Sequence, residues 1–408
     1  MCNFIALKGG VIRFILMLSL ALFTSCDGIK DLQKKETLPE SVTSNTPVRE
    51  VYIGDRDNIA APQKGLVSPN PITGDKPIRG IYAGTSNNIL ALVKSAQSLG
   101  INAVVIDVKD EFGNITCDLD LPPIYKKNIR VRNIKKVIET LRNHGIYTIA
   151  RIVTFRDHYA VLRFPDFAIK NKDGSVVVDK EKSSWLNPYN MNNPAKNVWD
   201  YIIQVAKAAA KVGFDEIQFD YIRFSPYKNP NVDLGPQSKS ISKSEIINRF
   251  LDYAVQILHP LGVKISVDVF GCIIPGSLGE DTIVGAANIG QDWGHIARKV
   301  DYICPMIYPS HWPRESFGIK YPDHNPYHIV KVTMNLAIAA IKRDPEARAI
   351  IRPWLQAFTA NWLPEKVYMI YSRKQVIDQS LAVTEAGLKG WTFWNPRGDY
   401  SPFISEKK

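Results

Sequence analysis

The chain has 408 residues, 45% of them hydrophobic and 22% charged, a balance that supports a sizeable core and argues against a disordered or fibrous protein. Its net charge of +11 is spread thinly, with no basic helix, arginine-rich run, zinc-finger or RNA-binding motif, so no nucleic-acid partner is expected. Five cysteines without a C-x-x-C pair give neither a disulfide framework nor a zinc signature.

Residues 1–25 read as a secretory signal. Lys8 and Arg13 precede the apolar run Phe14 to Phe23, which is too short to span a bilayer, and Thr24 and Ser25 lead to Cys26. The end of this leader resembles a bacterial lipobox, with Phe23 where Leu is usual. The resemblance implies cleavage before Cys26, acylation of its thiol and a mature protein anchored to the membrane of the cell envelope. Residues 26–76 are rich in Lys, Glu, Ser, Thr, Asn and Pro with few apolar positions, and read as a flexible tether; Arg49 to Ile53 is the one short run in it with strand character. Of the remaining cysteines, Cys117, Cys272 and Cys304 read as buried thiols, with a Cys272–Cys304 bridge left open.

From Pro77 short β-rich runs alternate with amphipathic segments of helical period. The predicted strands are Arg79 to Ala83, Ala103 to Val108, Tyr147 to Phe155, Glu216 to Phe224, Lys264 to Gly271, Tyr302 to Tyr308, Ile350 to Phe358 and Gly390 to Trp394. The predicted helices are Asn88 to Leu99, Arg132 to His144, Pro194 to Val212, Lys243 to Leu258, Gly290 to Lys299, Pro326 to Asp344 and Ser372 to Glu385, several closed by a glycine just before the next strand. Eight strands with intervening helices over residues 77–403 predict a (β/α)₈ TIM barrel with long βα loops. Neither G-x-G-x-x-G nor G-x-x-x-x-G-K-[ST] follows a strand, which disfavours an open nucleotide-binding sheet.

Polar residues recur at the strand ends that feed the long loops. Glu111 follows the second strand, Arg151 lies on the third, Asp220 and Arg223 end the fourth, and Asp268 lies on the fifth. Tyr308 and His311 follow the sixth, Arg352, Trp354 and Gln356 lie on the seventh, and Trp394 ends the eighth. Strand alternation puts Asp107, Lys109 and Glu111 on one side, as it does Gln218 with Asp220, Ser266 with Asp268, and Arg352 with Trp354 and Gln356, so one cleft is expected to gather them.

Two carboxylates on adjacent strands suit glycoside hydrolysis, where one acts as acid and the other as nucleophile or base, and the aromatic residues offer flat faces for sugar rings. Asp220 is the expected nucleophile or base and Asp268 the general acid, with Glu111 as the substitute acid. Arg151, Arg223, Tyr308, His311, Trp354, Gln356 and Trp394 are expected to bind a carbohydrate substrate or orient the carboxylates. A structural reading stays open beside it: an Asp220–Arg223 contact, Asp268 bonded to Arg151 or Lys109, and Trp391 and Trp394 as core. No metal-binding spacing or nucleophile elbow occurs, and neither metal nor cofactor is expected.

The segments Arg79-Gly-Ile-Tyr, Ala103-Val-Val-Ile-Asp-Val-Lys-Asp, Phe214 to Phe224, Ser266-Val-Asp-Val-Phe-Gly and Cys304-Pro-Met-Ile-Tyr-Pro-Ser-His together resemble the glycosyl hydrolase domain family of uncharacterised bacterial proteins, distantly related to the alpha-amylase-like barrels. That wider resemblance implies a nucleophile at the end of the fourth strand and an acid at the end of the fifth, which fall on Asp220 and Asp268. It departs at Asp268, where Glu is usual, and at Gln218, where an Arg is usual. A carbohydrate-binding surface lipoprotein without catalysis, or an envelope-assembly scaffold, are the other expectations.

Overall fold

The computed structural model describes residues 77–404 except 87, 180, 192–196, 226–228 and 278–288; the leader, Cys26 and the tether lie outside the described residues. Eight parallel strands close on themselves: β1 (Arg79–Gly84), β2 (Ala103–Lys109), β3 (Tyr147–Val153), β4 (Glu216–Asp220), β5 (Lys264–Phe270), β6 (Tyr302–Ile307), β7 (Ile350–Ile351 and Trp354–Gln356) and β8 (Trp391–Trp394). Each pairs with the next, and β8 returns to β1 through Arg79↔Trp391 and Ile81↔Phe393. This is the (β/α)₈ barrel expected from the alternation of strands and helices.

The helices between them are α1 (Ile89–Ser95), α2 (Ile134–Asn143), α3 (Val198–Val212), α4 (Lys243–Leu258), α5 (Trp293–Lys299), α6 (Pro326–Arg343) and α7 (Arg373–Glu385). The strands are buried on both faces, as they must be between a packed barrel interior and a ring of helices. α3 shows how the sequence sets an element. The Asn197 side chain caps its first turn by accepting from Asp200 N–H, and Gly213, at φ 106°, turns the chain out of the helix toward β4.

Alternation along β4 stacks the barrel interior. Near its start, Glu216 receives Nη1 and Nη2 of Arg352 at 2.9 and 2.5 Å, a fully buried bidentate pair. Two residues on, Gln218 Nε2 donates to Cys304 Sγ at 3.7 Å. Two further on comes Asp220, at the C-terminal mouth.

Several boundaries differ from the sequence reading, for local reasons. β4 stops at Asp220 because Tyr221 takes φ 51°, a left-handed conformation that a strand cannot continue through. β7 breaks at Arg352 and Pro353, where proline has no N–H for the ladder. The segment after β2, read as a plain loop, contributes two short strands: Ile115–Cys117 pairs antiparallel with β2, and Lys127–Val131 runs parallel to Ile115–Cys117. Cys117, Cys272 and Cys304 are buried free thiols, so the open Cys272–Cys304 bridge is not formed.

Candidate active site

Asp220 is held from two sides. Arg151, on the neighbouring β3, donates Nε and Nη2 to Asp220 Oδ2 at 2.9 and 2.6 Å. The left-handed turn at Tyr221 swings its backbone N–H onto Asp220 Oδ1, at 2.6 Å. A bulky residue in that region is strained, and here the strain supplies a donor to a mouth carboxylate. Arg151 uses its remaining edge on Asp107 Oδ1 at 2.7 Å, and Tyr82 OH donates to Asp107 Oδ2 at 2.5 Å. Burial works against the Arg151 charge, but Asp107 and Asp220 more than offset it and raise its pKa well above the guanidinium value. Burial and the Asp107 charge likewise keep the Tyr82 proton in place, so the phenol acts as a donor.

Asp268 is in a different electrostatic state. It is buried and accepts from Trp354 Nε1 at 2.7 Å through Oδ1, while Oδ2 has no hydrogen-bond partner among the described residues. Burial, then the Asp220 charge, raise its pKa well above the carboxylate range; the Trp354 bond works the other way and does not prevail. Asp268 therefore holds its proton more tightly than an ordinary carboxyl. One pocket at the mouth is lined by both carboxylates together with Tyr221, Arg223, Phe270, Met306, Tyr308, Trp354 and Trp394. Trp354 and Trp394 meet edge to face at 5.5 Å, and Trp394 also packs on Tyr82 at 4.1 Å.

Other expected site residues are placed elsewhere. Arg151 holds Asp220 rather than lining the pocket. Arg223 lines it but does not bond Asp220: its guanidinium lies 4.8–4.9 Å from the ring centroids of Trp185, Tyr221 and Phe270. Glu111 is partly exposed outside the pocket lining, and burial, with Asp110 beside it, raises its pKa to about 7.

His311 and Gln356 form part of a buried polar cluster outside the pocket. Ser310 Oγ donates to Gln356 Oε1 at 2.8 Å and lies 2.8 Å from His311 Nδ1, and Gln356 Nε2 donates to Asp323 at 3.0 Å. Burial lowers the His311 pKa to about 3, so the ring is neutral. Of the three residues expected on one side of β7, Arg352 and Trp354 both reach interior carboxylates, Glu216 and Asp268, whereas Gln356 joins Ser310 and Asp323. A register shift between Asp107 and Lys109 likewise separates that pair, and Lys109 Nζ meets Asp157 at 2.9 Å, fully buried. Asp268 bonds neither Arg151 nor Lys109.

Three lining residues escaped the sequence reading. Tyr221 was read as strand, and nothing in the periodicity marks its left-handed backbone. Phe270 and Met306 carry a weak signal: each follows by two an interior-facing residue, Asp268 and Cys304, on its strand.

A (β/α)₈ barrel whose C-terminal mouth presents an arginine-held carboxylate beside a buried carboxyl bonded by a tryptophan defines the architectural class of this protein. The chain belongs to the family described as Putative glycosyl hydrolase domain (DUF4015), whose model matches residues 78–400. Among solved structures, the glycoside hydrolase domain of PgaB (BpsB) from Bordetella bronchiseptica is 15% identical with a TM-score of 0.53, over 79% of this chain and 95% of that one. The β-galactosidase of the psychrophilic Marinomonas ef1 is 12% identical with a TM-score of 0.54, over 78% and 54%. At these identities the likeness is one of fold. A hypothetical protein from Ruminiclostridium thermocellum ATCC 27405 is 33% identical over 46% of this chain and 97% of its own, with a TM-score of 0.41. No curated protein matches the chain. Family membership supports a glycoside hydrolase role.

Proposed function

We propose that this protein hydrolyses a glycosidic bond of an oligo- or polysaccharide, with Asp220 as nucleophile and Asp268 as general acid. The observation that carries this is the contrast between two carboxyls facing one pocket: Asp220 is held by Arg151 and the Tyr221 N–H, and Asp268 is buried with a proton to give. Asp268 gives that proton to the leaving oxygen as Asp220 attacks the anomeric carbon. Water, deprotonated by the Asp268 carboxylate, then releases the sugar from Asp220. Trp354, Trp394 and Tyr308 offer apolar faces to the ring.

A nucleophilic Asp220 implies retention of configuration. Phe219 pairs with Val267, so Asp220 and Asp268 follow at one level of adjacent strands. Such strands lie about 4.8 Å apart, which brings both carboxyls to one side of the same pocket. The leader and Cys26 support an exported protein held by lipid at the bacterial cell envelope, which metabolic labelling with a fatty acid and Cys26→Ser would test.

The direct test is sugar release from a panel of bacterial and plant polysaccharides by the full-length chain, beside Asp220→Asn and Asp268→Asn. Turnover lost in both variants, with the product anomer retained, is expected. Binding without turnover, equal in all three proteins, would replace the glycosidase by a carbohydrate-binding barrel.

A further inference from the structure

Arg223 differs from the other guanidinium groups at the mouth. Arg151 holds Asp107 and Asp220, and Arg156 holds Glu181 at 2.7 Å and Asp179 at 3.4 Å. Arg223 is 5% exposed, yet no carboxylate lies within ion-pair distance of it among the described residues; its one hydrogen bond is Nη1 to its neighbour Phe224 O at 3.2 Å. The nearby acids are already engaged, Asp220 by Arg151 and Glu181 by Arg156.

The rings of Trp185, Tyr221 and Phe270 surround the cation, which attracts it through their π faces but satisfies none of its N–H donors. A guanidinium carries five such donors, in its plane. Arg352 has a nitrogen sealed away from both partners and solvent, whereas among the described residues no unpartnered nitrogen of Arg223 is sealed from solvent, and Arg223 lines the same pocket as Asp220 and Asp268. Burial depresses its pKa, the sign of a charge not fully compensated by the protein.

We infer that Arg223 is a recognition site for a carboxylate carried by the substrate, so that the sugar bound beside Asp220 and Asp268 is an acidic one, a uronic acid or a sugar bearing a carboxyl ether. Such a group supplies the missing counter-charge and accepts two parallel N–H donors, a pairing a neutral hydroxymethyl cannot make. The assignment rests on the glycosidase reading for its placement at the cleaved bond, though not for the binding itself.

The test uses the full-length chain with nitrophenyl glucuronides and galacturonides of both anomers, beside the matching glucosides, galactosides and sulfated galactosides. Turnover is measured on the wild type and binding by calorimetry on Asp268→Asn, alone and combined with Arg223→Gln or Arg223→Lys. The expected result is a preference for a uronide over its neutral partner of about tenfold or more. Arg223→Gln should erase most of that preference and Arg223→Lys should keep part of it, with unchanged circular dichroism. Preferential binding of a uronide without turnover would sink the glycosidase reading and leave this one standing. Turnover of neutral sugars without preference would do the reverse. Absence of uronide binding, a stronger response to the sulfated probes, or a preference unchanged by Arg223→Gln would each overturn the carboxylate assignment.

Discussion

Arg151 spans two carboxylates of the barrel mouth, giving Nε and Nη2 to Asp220 and Nη1 to Asp107, so that one guanidinium ties β2, β3 and β4 together where the pocket opens. All three side chains are largely buried. Removing the cation therefore leaves two carboxylates without compensation, and Arg151→Met is expected to lower stability by about 3–5 kcal/mol. Arg151→Lys keeps the charge but loses the planar fork. It should fold, and should lower kcat/KM by about a hundredfold through misplacement of Asp220. Thermal melts and steady-state kinetics on both variants separate the two effects; equal loss of stability with unchanged kcat in the lysine variant would remove Arg151 from the positioning role.

The raised pKa of Asp268 makes a prediction about stability. In the unfolded chain an aspartate ionises near pH 3.9, whereas in the fold burial and Asp220 hold the proton to higher pH. The folded protein thus binds more protons than the unfolded one above that pH, and its stability falls as pH rises toward the folded pKa. Asp268→Asn removes the titration while its amide oxygen still accepts from Trp354. Each tenfold change in proton affinity is worth about 1.4 kcal/mol, so the variant should gain stability over the wild type on going from pH 3 to pH 7. Denaturant unfolding at the two pH values measures it; a gap that stays constant would mean Asp268 is ionised in the fold.

Strand period was the legible part of this site. Gln218 with Asp220, and Ser266 with Asp268, could be set on the inner face from alternation alone, because β4 and β5 run without interruption to those residues. The failures fall where alternation is broken by something sequence does not display. The shift between Asp107 and Lys109 sends the lysine to Asp157, and at the end of β7 Gln356 joins Ser310, from the Pro309–His311 turn after β6, and Asp323 instead of the pocket. The Asp220–Arg223 contact left open by the sequence is not formed, because the turn at Tyr221 carries Arg223 to the aromatic rings; the cation that reaches Asp220 is Arg151, from the next strand, one of the two arginines expected to orient the carboxylates.

Glu111 separates the two candidates for proton donor. Its carboxyl has a pKa raised to about 7, as does that of Glu181 beside Arg156, both chiefly through burial. If Asp268 donates the proton, Glu111→Gln should leave kcat within about tenfold and only reshape the pH profile near neutrality, with Glu181→Gln as the control. A fall of roughly 10²–10⁴-fold would move the acid role to Glu111.

Trp354 tunes the acid it touches. Its indole N–H is the only hydrogen bond to the Asp268 carboxyl among the described residues, and it favours the ionised form against the stronger pull of burial. Trp354→Phe keeps an aromatic face at the pocket wall but withdraws that donor. The Asp268 proton should then be held more tightly, since an acceptor that loses a donor in a buried site is stabilised by staying neutral. The alkaline limb of kcat/KM is expected to move to higher pH, while kcat at neutral pH falls as the acid becomes more reluctant to give its proton. An acceptor left without its N–H also lowers stability by about 1–3 kcal/mol, which a melt at pH 7 would register. If instead the limb stays where it is in Trp354→Phe, the group it reports is not Asp268, and the proton must come from elsewhere in the cleft.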